Sequence, residues 1–191
     1  MHIRVYTLAT HVGFAPCWAF DDAKTCEVLT LANCKPGIRR VAKCEDWIAA
    51  VTPKAMENRL AYVMQVRKMT RSQYWEQYGT SRLDCVYEPS ACGWKQVPNK
   101  WHDERLKKVD LSSEWILWST KFYVFAHAYH GRGKPQGISL SGPVSSLKCG
   151  GRRYGTLVQV RDEDFWPWIR GQQPLKLTEF DQSVELLNRR R

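Results

Sequence analysis

CEVLTLANCKPGIRRVAKCEDW, residues 26–47, decides how the rest of the chain is read. Val28, Leu29, Leu31 and Ala32 make an apolar segment that runs into Cys34-Lys35-Pro36-Gly37 and a pair of arginines, and Asp46-Trp47 opens a second apolar segment. Pro36 removes a backbone donor and Gly37 permits positive φ, so residues 35–38 read as a turn between two strands. Such a turn presents Lys35, Arg39 and Arg40 together. Three cations within six residues, on a loop gripped by buried strands, suit a phosphate. A solvated basic turn with no specific partner is the alternative.

Working outward, 191 residues with 43% hydrophobic and 25% charged content are enough for one globular domain with a full core. We read 1–191 as a single domain with a loop-rich insert at about 79–110. Nine Trp, eight Tyr and six Phe accompany a net charge of +10. Together they supply cations for phosphates and π-faces for bases, although the arginines at 152–153 and 189–191 serve solubility equally well. No apolar run reaches the length of a membrane span, and MHIRVYTLAT alternates like a strand, so a cytoplasmic protein is expected. In that compartment the seven cysteines should be free thiols. There is no Cys-x-x-Cys pair, and on a strand His127 and His130 would point to opposite faces, so no metal or other cofactor is expected.

Taken in order, residues 2–9 read as a strand, and THVGFAPCWAF as a loop whose Phe14 and Trp18 either pin it to the core or stack on a planar ligand. Residues 47–51 and 59–66 are further strands, and Thr70 caps a helix carrying Tyr74, Trp75 and Tyr78 on its buried side. Residues 79–110 lack periodicity and form either a lid or a poorly ordered insert. EWILWS and KFYVFAHAYH are strands, GTLVQV is another, and two helices begin near Asp162 and Thr178. The inventory is an α+β domain with a mostly antiparallel, curved or barrel-like sheet and about three short helices.

GFAP at 13–16, LTLANCKPGIRR at 29–40 with EDW at 45–47, RLAYVMQVRKMTRSQYW at 59–75, GWKQVPNKWHD at 93–103 and FYVFAHAY at 122–129 resemble, in this order, the motifs of the nucleotide modification associated domain family, type 2. The resemblance covers most of the chain and implies a bacterial or phage protein working in DNA or nucleotide modification, or in phage–host conflict. A weaker similarity to EVE, ASCH and PUA-like barrels implies a cleft that takes in a base. The chain departs from the family pattern at Glu45, where Gly commonly precedes Asp-Trp, and at Thr120 and Ala126, where an Asp and a Gly are expected.

Two functions follow. The first is a binding module for a nucleotide, a nucleic acid or a modified base. Phe14, Trp18, Trp47 and Tyr123 would sandwich the base, Lys35, Arg39 and Arg40 would take phosphates, and Asn33 or Asp46 would read the base edge. The second is an enzyme of base hypermodification, a nucleotide transferase or hydrolase. Cys34 is then the nucleophile, since an adjacent cation such as Lys35 favours a thiolate, with His11 or His127 as base and Asp46 as orienting carboxylate. Against this, a lone cysteine ending an apolar strand is commonly a core residue, and Asp46 can serve simply to anchor the basic turn. An ionisable pair within hydrogen-bond reach beside Lys35 separates the two functions, because binding alone does not need one.

Overall fold

The apolar segments on either side of Cys34 enter different sheets. The computed structural model describes residues 1–9, 11, 16–21, 23–79, 81–99, 102, 104–129, 135–148 and 155–178. Its strands are β1 (His2–Thr7), β2 (Cys17–Phe20), β3 (Glu27–Leu31), β4 (Trp47–Val51), β5 (Leu60–Gln65), β6 (Arg67–Thr70), β7 (Tyr87–Ser90), β8 (Gly93–Gln96), β9 (Trp115–Ser119), β10 (Phe122–Val124) and β11 (Thr156–Gln159). The helices are α1 (Pro36–Val41), α2 (Arg71–Tyr78), α3 (Lys107–Asp110) and α4 (Asp162–Arg170). One sheet has the order β10-β5-β4-β1-β11, a second β2-β3-β9-β6, and β7-β8 is a separate hairpin. Only the β1–β4 pairing is parallel among the described strands. The sheets are joined twice, because β5 runs on into β6 and β9 into β10 with only a residue or two between.

Burial explains why β4 and β5 read as nearly continuous apolar runs. Tyr6, Ile48, Ala50, Tyr62 and Met64 face one cluster with Leu29, Leu31 and Leu117 of the second sheet and Ile38 of α1. Ile3, Val5, Ala49, Val51 and Val63 face another, closed by Val144, Leu147 and by Phe165 and Ile169 of α4. A sheet covered on both faces has no polar side to alternate with. In α2 the Thr70 side chain accepts from the Gln73 N–H, and the Gln73 side chain accepts from the Thr70 N–H, a reciprocal cap. Tyr74 and Tyr78 are its buried face.

The fold is α+β and mostly antiparallel, as the residues imply. Among the described residues the strands form open sheets, and no closed barrel is found. Four short α-helices are present among the described residues, two of them unexpected: α1, into which the stretch read as a turn at 35–38 winds, and α3. The helix expected from Thr178 lies outside the described residues. KFYVFAHAYH is extended as a strand only over Phe122–Val124. Residues 79–110 hold a hairpin and α3, and bury Arg82, Asp84, Tyr87, His102 and Asp110. Among the described residues no helix is long and apolar enough to cross a membrane.

Candidate active site

β3 delivers the chain to Asn33, whose buried amide donates to the Asp84 carbonyl at 2.6 Å. Cys34 and Lys35 follow with φ of 56° and 44°. This left-handed region costs a residue with a Cβ about 1–2 kcal/mol. It reverses the chain so that Pro36 can open α1, where its fixed φ and missing N–H are tolerated. The strained turn is held from both sides. The Cys34 N–H donates to Asp110 Oδ1 at 2.7 Å, and the Cys34 carbonyl accepts from Arg39 Nε at 2.9 Å.

Arg39 is 0% exposed. Besides Cys34, its guanidinium donates through Nη1 to the carbonyls of Ser113 at 3.1 Å and Trp115 at 2.7 Å, and through Nη2 to that of Asp110 at 2.6 Å. Burial and the charge of Arg71 pull its pKa down to about 9, against Asp110, so it stays charged at neutral pH. Arg71 is buried beside it, donates to the carbonyls of Ala32 and Asp110, and lies over the Tyr87 ring. Two arginines thus fix the backbone that carries Asp110.

On that mount stand three groups in series. Cys34 Sγ lies 3.1 Å from His102 Nε2, and His102 Nδ1 lies 2.5 Å from Asp110 Oδ2. The carboxylate makes Nδ1 the proton carrier, which leaves Nε2 to face the sulfur. Tyr87 donates its hydroxyl to the same Oδ2 at 2.8 Å. Burial alone would lower the His102 pKa, but the hydrogen bonds to Asp110 and Cys34 and their charges outweigh it and carry it up to about 9. Burial likewise works against the Asp110 carboxylate, yet His102, the Cys34 N–H and the Tyr87 hydroxyl hold its pKa below the usual range. Thiol–imidazole and thiolate–imidazolium differ here only in which end of the 3.1 Å contact holds the proton. Cys34 is half-buried, whereas His102 and Asp110 are buried, so the sulfur is the exposed end of the series.

The three side chains also bring a thiol, an imidazole and a carboxylate within 4.8 Å of one another, a potential metal set. Their geometry argues for a relay instead. The thiol and the carboxylate meet opposite nitrogens of one ring, and a single ion can take only one of them.

Lys35 is half-buried, donates to the Thr7 carbonyl at 3.0 Å and lies over the Tyr6 ring. Burial lowers its pKa, opposed by the charge of nearby Cys34, and no acidic side chain pairs with it among the described residues. Arg40 is exposed.

The remaining expected site residues are scattered. Trp18 is 5% exposed, donates to Glu27 and packs edge-on against Phe122, so it is a core residue. Asn33 and Arg39 are spent on backbone carbonyls. Asp46 pairs with Arg4 of β1 at 3.0 Å, rather than with an arginine of the turn, and accepts from the Lys43 N–H. Trp47 is buried against Trp166, and Tyr123 stacks on Phe125. His11 is buried beside Tyr129, with its pKa brought down to about 3 by burial. His127 is half-buried, and the ring that meets Cys34 is that of His102. Phe14 lies outside the described residues.

Reading the sequence alone identifies Cys34 and misses His102, Asp110 and Tyr87. The available signal was the long aperiodic segment at 79–110 together with the GWKQVPNKWHD motif, which contains His102. His102 also lines a cavity of about 310 Å³, together with Lys95, Gln96, Val97, Pro98, Asn99, Glu104 and Lys107.

The family model described as nucleotide modification associated domain 2 matches residues 1–138, a span that includes Cys34, His102 and Asp110. No curated protein and no solved structure matches the chain significantly.

Proposed function

We propose a function from one premise: the chain belongs to the family of nucleotide modification associated domain 2. Within a nucleotide or DNA modification system we read it as an enzyme, a transferase or hydrolase that works on a nucleotide or modified base through Cys34. The observation that carries this reading is the contact of Cys34 Sγ with His102 Nε2 at 3.1 Å, backed by Asp110 on Nδ1 at 2.5 Å. An ionisable pair within hydrogen-bond reach beside Lys35 is what chemistry requires and binding does not.

In the proposed mechanism the proton between Cys34 and His102 rests on Nε2, as the raised pKa of the ring favours, and the sulfur adds as the thiolate to an electrophilic carbon of the substrate. Asp110 holds the tautomer and balances the imidazolium that forms. His102 returns the proton to the leaving group. An incoming water, amine or hydroxyl then loses its proton to His102 and displaces the sulfur, which is protonated again. Lys35, adjacent to the nucleophile and lacking a carboxylate partner among the described residues, offers a cation for negative charge on the reacting group or for a phosphate.

The test is alkylation by iodoacetamide at neutral pH, read residue by residue by mass spectrometry. The exposed Cys26, Cys44 and Cys92 serve as internal references. Cys34 should react faster than all three despite its partial burial, and His102→Ala should slow it by about tenfold or more. A Cys34 slower than its exposed neighbours, with all rates rising in parallel as pH increases, would sink the enzyme reading.

A binding module without chemistry is the second reading, and the unpaired charge of Lys35 favours it. Lys35 and Arg40 would then hold phosphates, with an aromatic cleft for the base. It prevails if Cys34 is inert while nucleotides still bind.

A further inference from the structure

We infer that the cavity lined by His102 is a nucleotide subsite, taking the base and phosphate of the molecule on which Cys34 acts. The inference rests on the catalytic reading of Cys34 for its meaning but not for its test. His102 is shared: one nitrogen faces Cys34, and the residue also lines the cavity. A molecule seated there touches the residue that carries the proton.

The lining indicates the ligand class. At about 310 Å³ the cavity has room for a mononucleotide. Lys107 is half-buried and has no carboxylate partner among the described residues. Lys95 is exposed and pairs with Glu88 at 3.2 Å, a surface contact that holds its ammonium weakly. Among the described lining residues these two cations stand against one carboxylate, Glu104. They give the cavity an affinity for anions without making it a general anion trap.

Gln96 supplies a second, independent feature. Its Nε2 donates to the His102 carbonyl at 2.6 Å, which fixes the amide because a flip would set oxygen against oxygen. Its Oε1 is buried and has no hydrogen-bond partner among the described residues. An acceptor left in that state costs about 1–3 kcal/mol, and a donor on a ligand, such as a ribose hydroxyl or the exocyclic amine of a base, would relieve it. Val97 and Pro98 add apolar surface against which a base can lie. Cations, a waiting acceptor and an apolar wall together describe a nucleotide better than they describe phosphate or an apolar molecule alone.

The experiment is calorimetric titration of Cys34→Ala protein, which binds without turnover. The probes are the four nucleoside 5′-monophosphates, the corresponding nucleosides, inorganic phosphate and a short single-stranded oligonucleotide. At least one monophosphate, or the oligonucleotide, should bind about tenfold or more tightly than its nucleoside or inorganic phosphate. The double variant Lys95→Ala, Lys107→Ala should lose that margin while keeping the wild-type melting curve. Tighter binding of the free nucleotide or of the oligonucleotide identifies which source supplies the ligand. Absence of binding by every probe, or binding unmoved by the lysine substitutions, overturns the subsite. If that occurs while Cys34 alkylates rapidly, the catalytic reading survives without it. Binding at the lysines beside an inert Cys34 leaves the subsite standing and removes the chemistry.

Discussion

Replacement of Arg39 by alanine separates two roles for the basic pair of α1. Were Arg39 presented to solvent for a phosphate, its loss would weaken nucleotide binding, flatten the salt dependence and leave stability alone. The structure instead buries it on four carbonyls, those of Cys34, Asp110, Ser113 and Trp115, at 2.6–3.1 Å. Hydrogen bonds from a charged donor are worth about 1.5–3 kcal/mol each, but keeping the guanidinium out of water sets several kcal/mol against them. Truncation strands the carbonyls, with water entering the space to satisfy some of them. The net cost should be about 3–5 kcal/mol, the range for breaking a buried charged network. For a chain of this size that corresponds to a melting temperature lower by about 6–20 °C. Arg40→Ala, one residue away on the exposed face, should change stability by less than about 0.5 kcal/mol. Arg39→Lys keeps the charge but has three donors for four acceptors, and should recover less than half of the loss. Thermal and urea unfolding followed by circular dichroism measure all three. An Arg39→Ala protein that melts with the wild type yet binds nucleotide less well would refute the structural account.

Two further predictions concern the relay. Asp110→Asn removes the charge that opposes the effect of burial on His102, so the His102 pKa, observed by NMR of the imidazole protons, should fall from about 9 to below the ordinary histidine value; a value left near 9 would show that Asp110 does not govern the ring. Because that pKa is raised on folding, the His102 contribution is fully present below about pH 6.5 and is lost as pH rises through about 9, an effect on the order of 3 kcal/mol at most. Urea midpoints should therefore decline across this window in the wild type and less steeply in His102→Gln, and parallel declines would contradict the assignment.

Legibility in the sequence followed the kind of force involved. β1, β4 and β5 were readable because apolar burial leaves a repeating pattern, and the Thr70–Gln73 cap was readable because its partners are three residues apart. Cys34 stood out through its Lys-Pro-Gly context. Its partner could not, since His102 lies 68 residues away and is held by point contacts rather than by an apolar face. The segment at 79–110 looked irregular for the same reason. Arg82 and Asp84 fasten it through polar bonds to β2, β3 and α2, which impose no period on the chain. Arg39 misled in the opposite direction: adjacent arginines after a Pro-Gly read as surface charge, and nothing local announces four carbonyls arriving from elsewhere.

Among the described residues two carboxylates are buried, and the contrast between them bears on function. Asp84 accepts from Thr30 and Tyr74 and pairs with Arg82, which also donates to Tyr74, Thr30 and backbone carbonyls. Apart from the Phe20 carbonyl, which accepts from Arg82 at 3.5 Å, the groups of that network end on other buried groups, and structure accounts for it. Asp110 is held with equal care by Tyr87, the Cys34 N–H and two arginines on its backbone carbonyl. Its network does not close. The imidazole that neutralises it turns its second nitrogen to a half-buried thiol on a turn kept in a left-handed conformation. A network built only for stability would end on an inert acceptor inside the protein, as the Asp84 network does. One that ends on a partly accessible sulfur keeps a proton carrier aimed at a nucleophile. The strained turn, the arginine clamps and the aperiodic segment are then parts of one arrangement that holds Cys34 against His102.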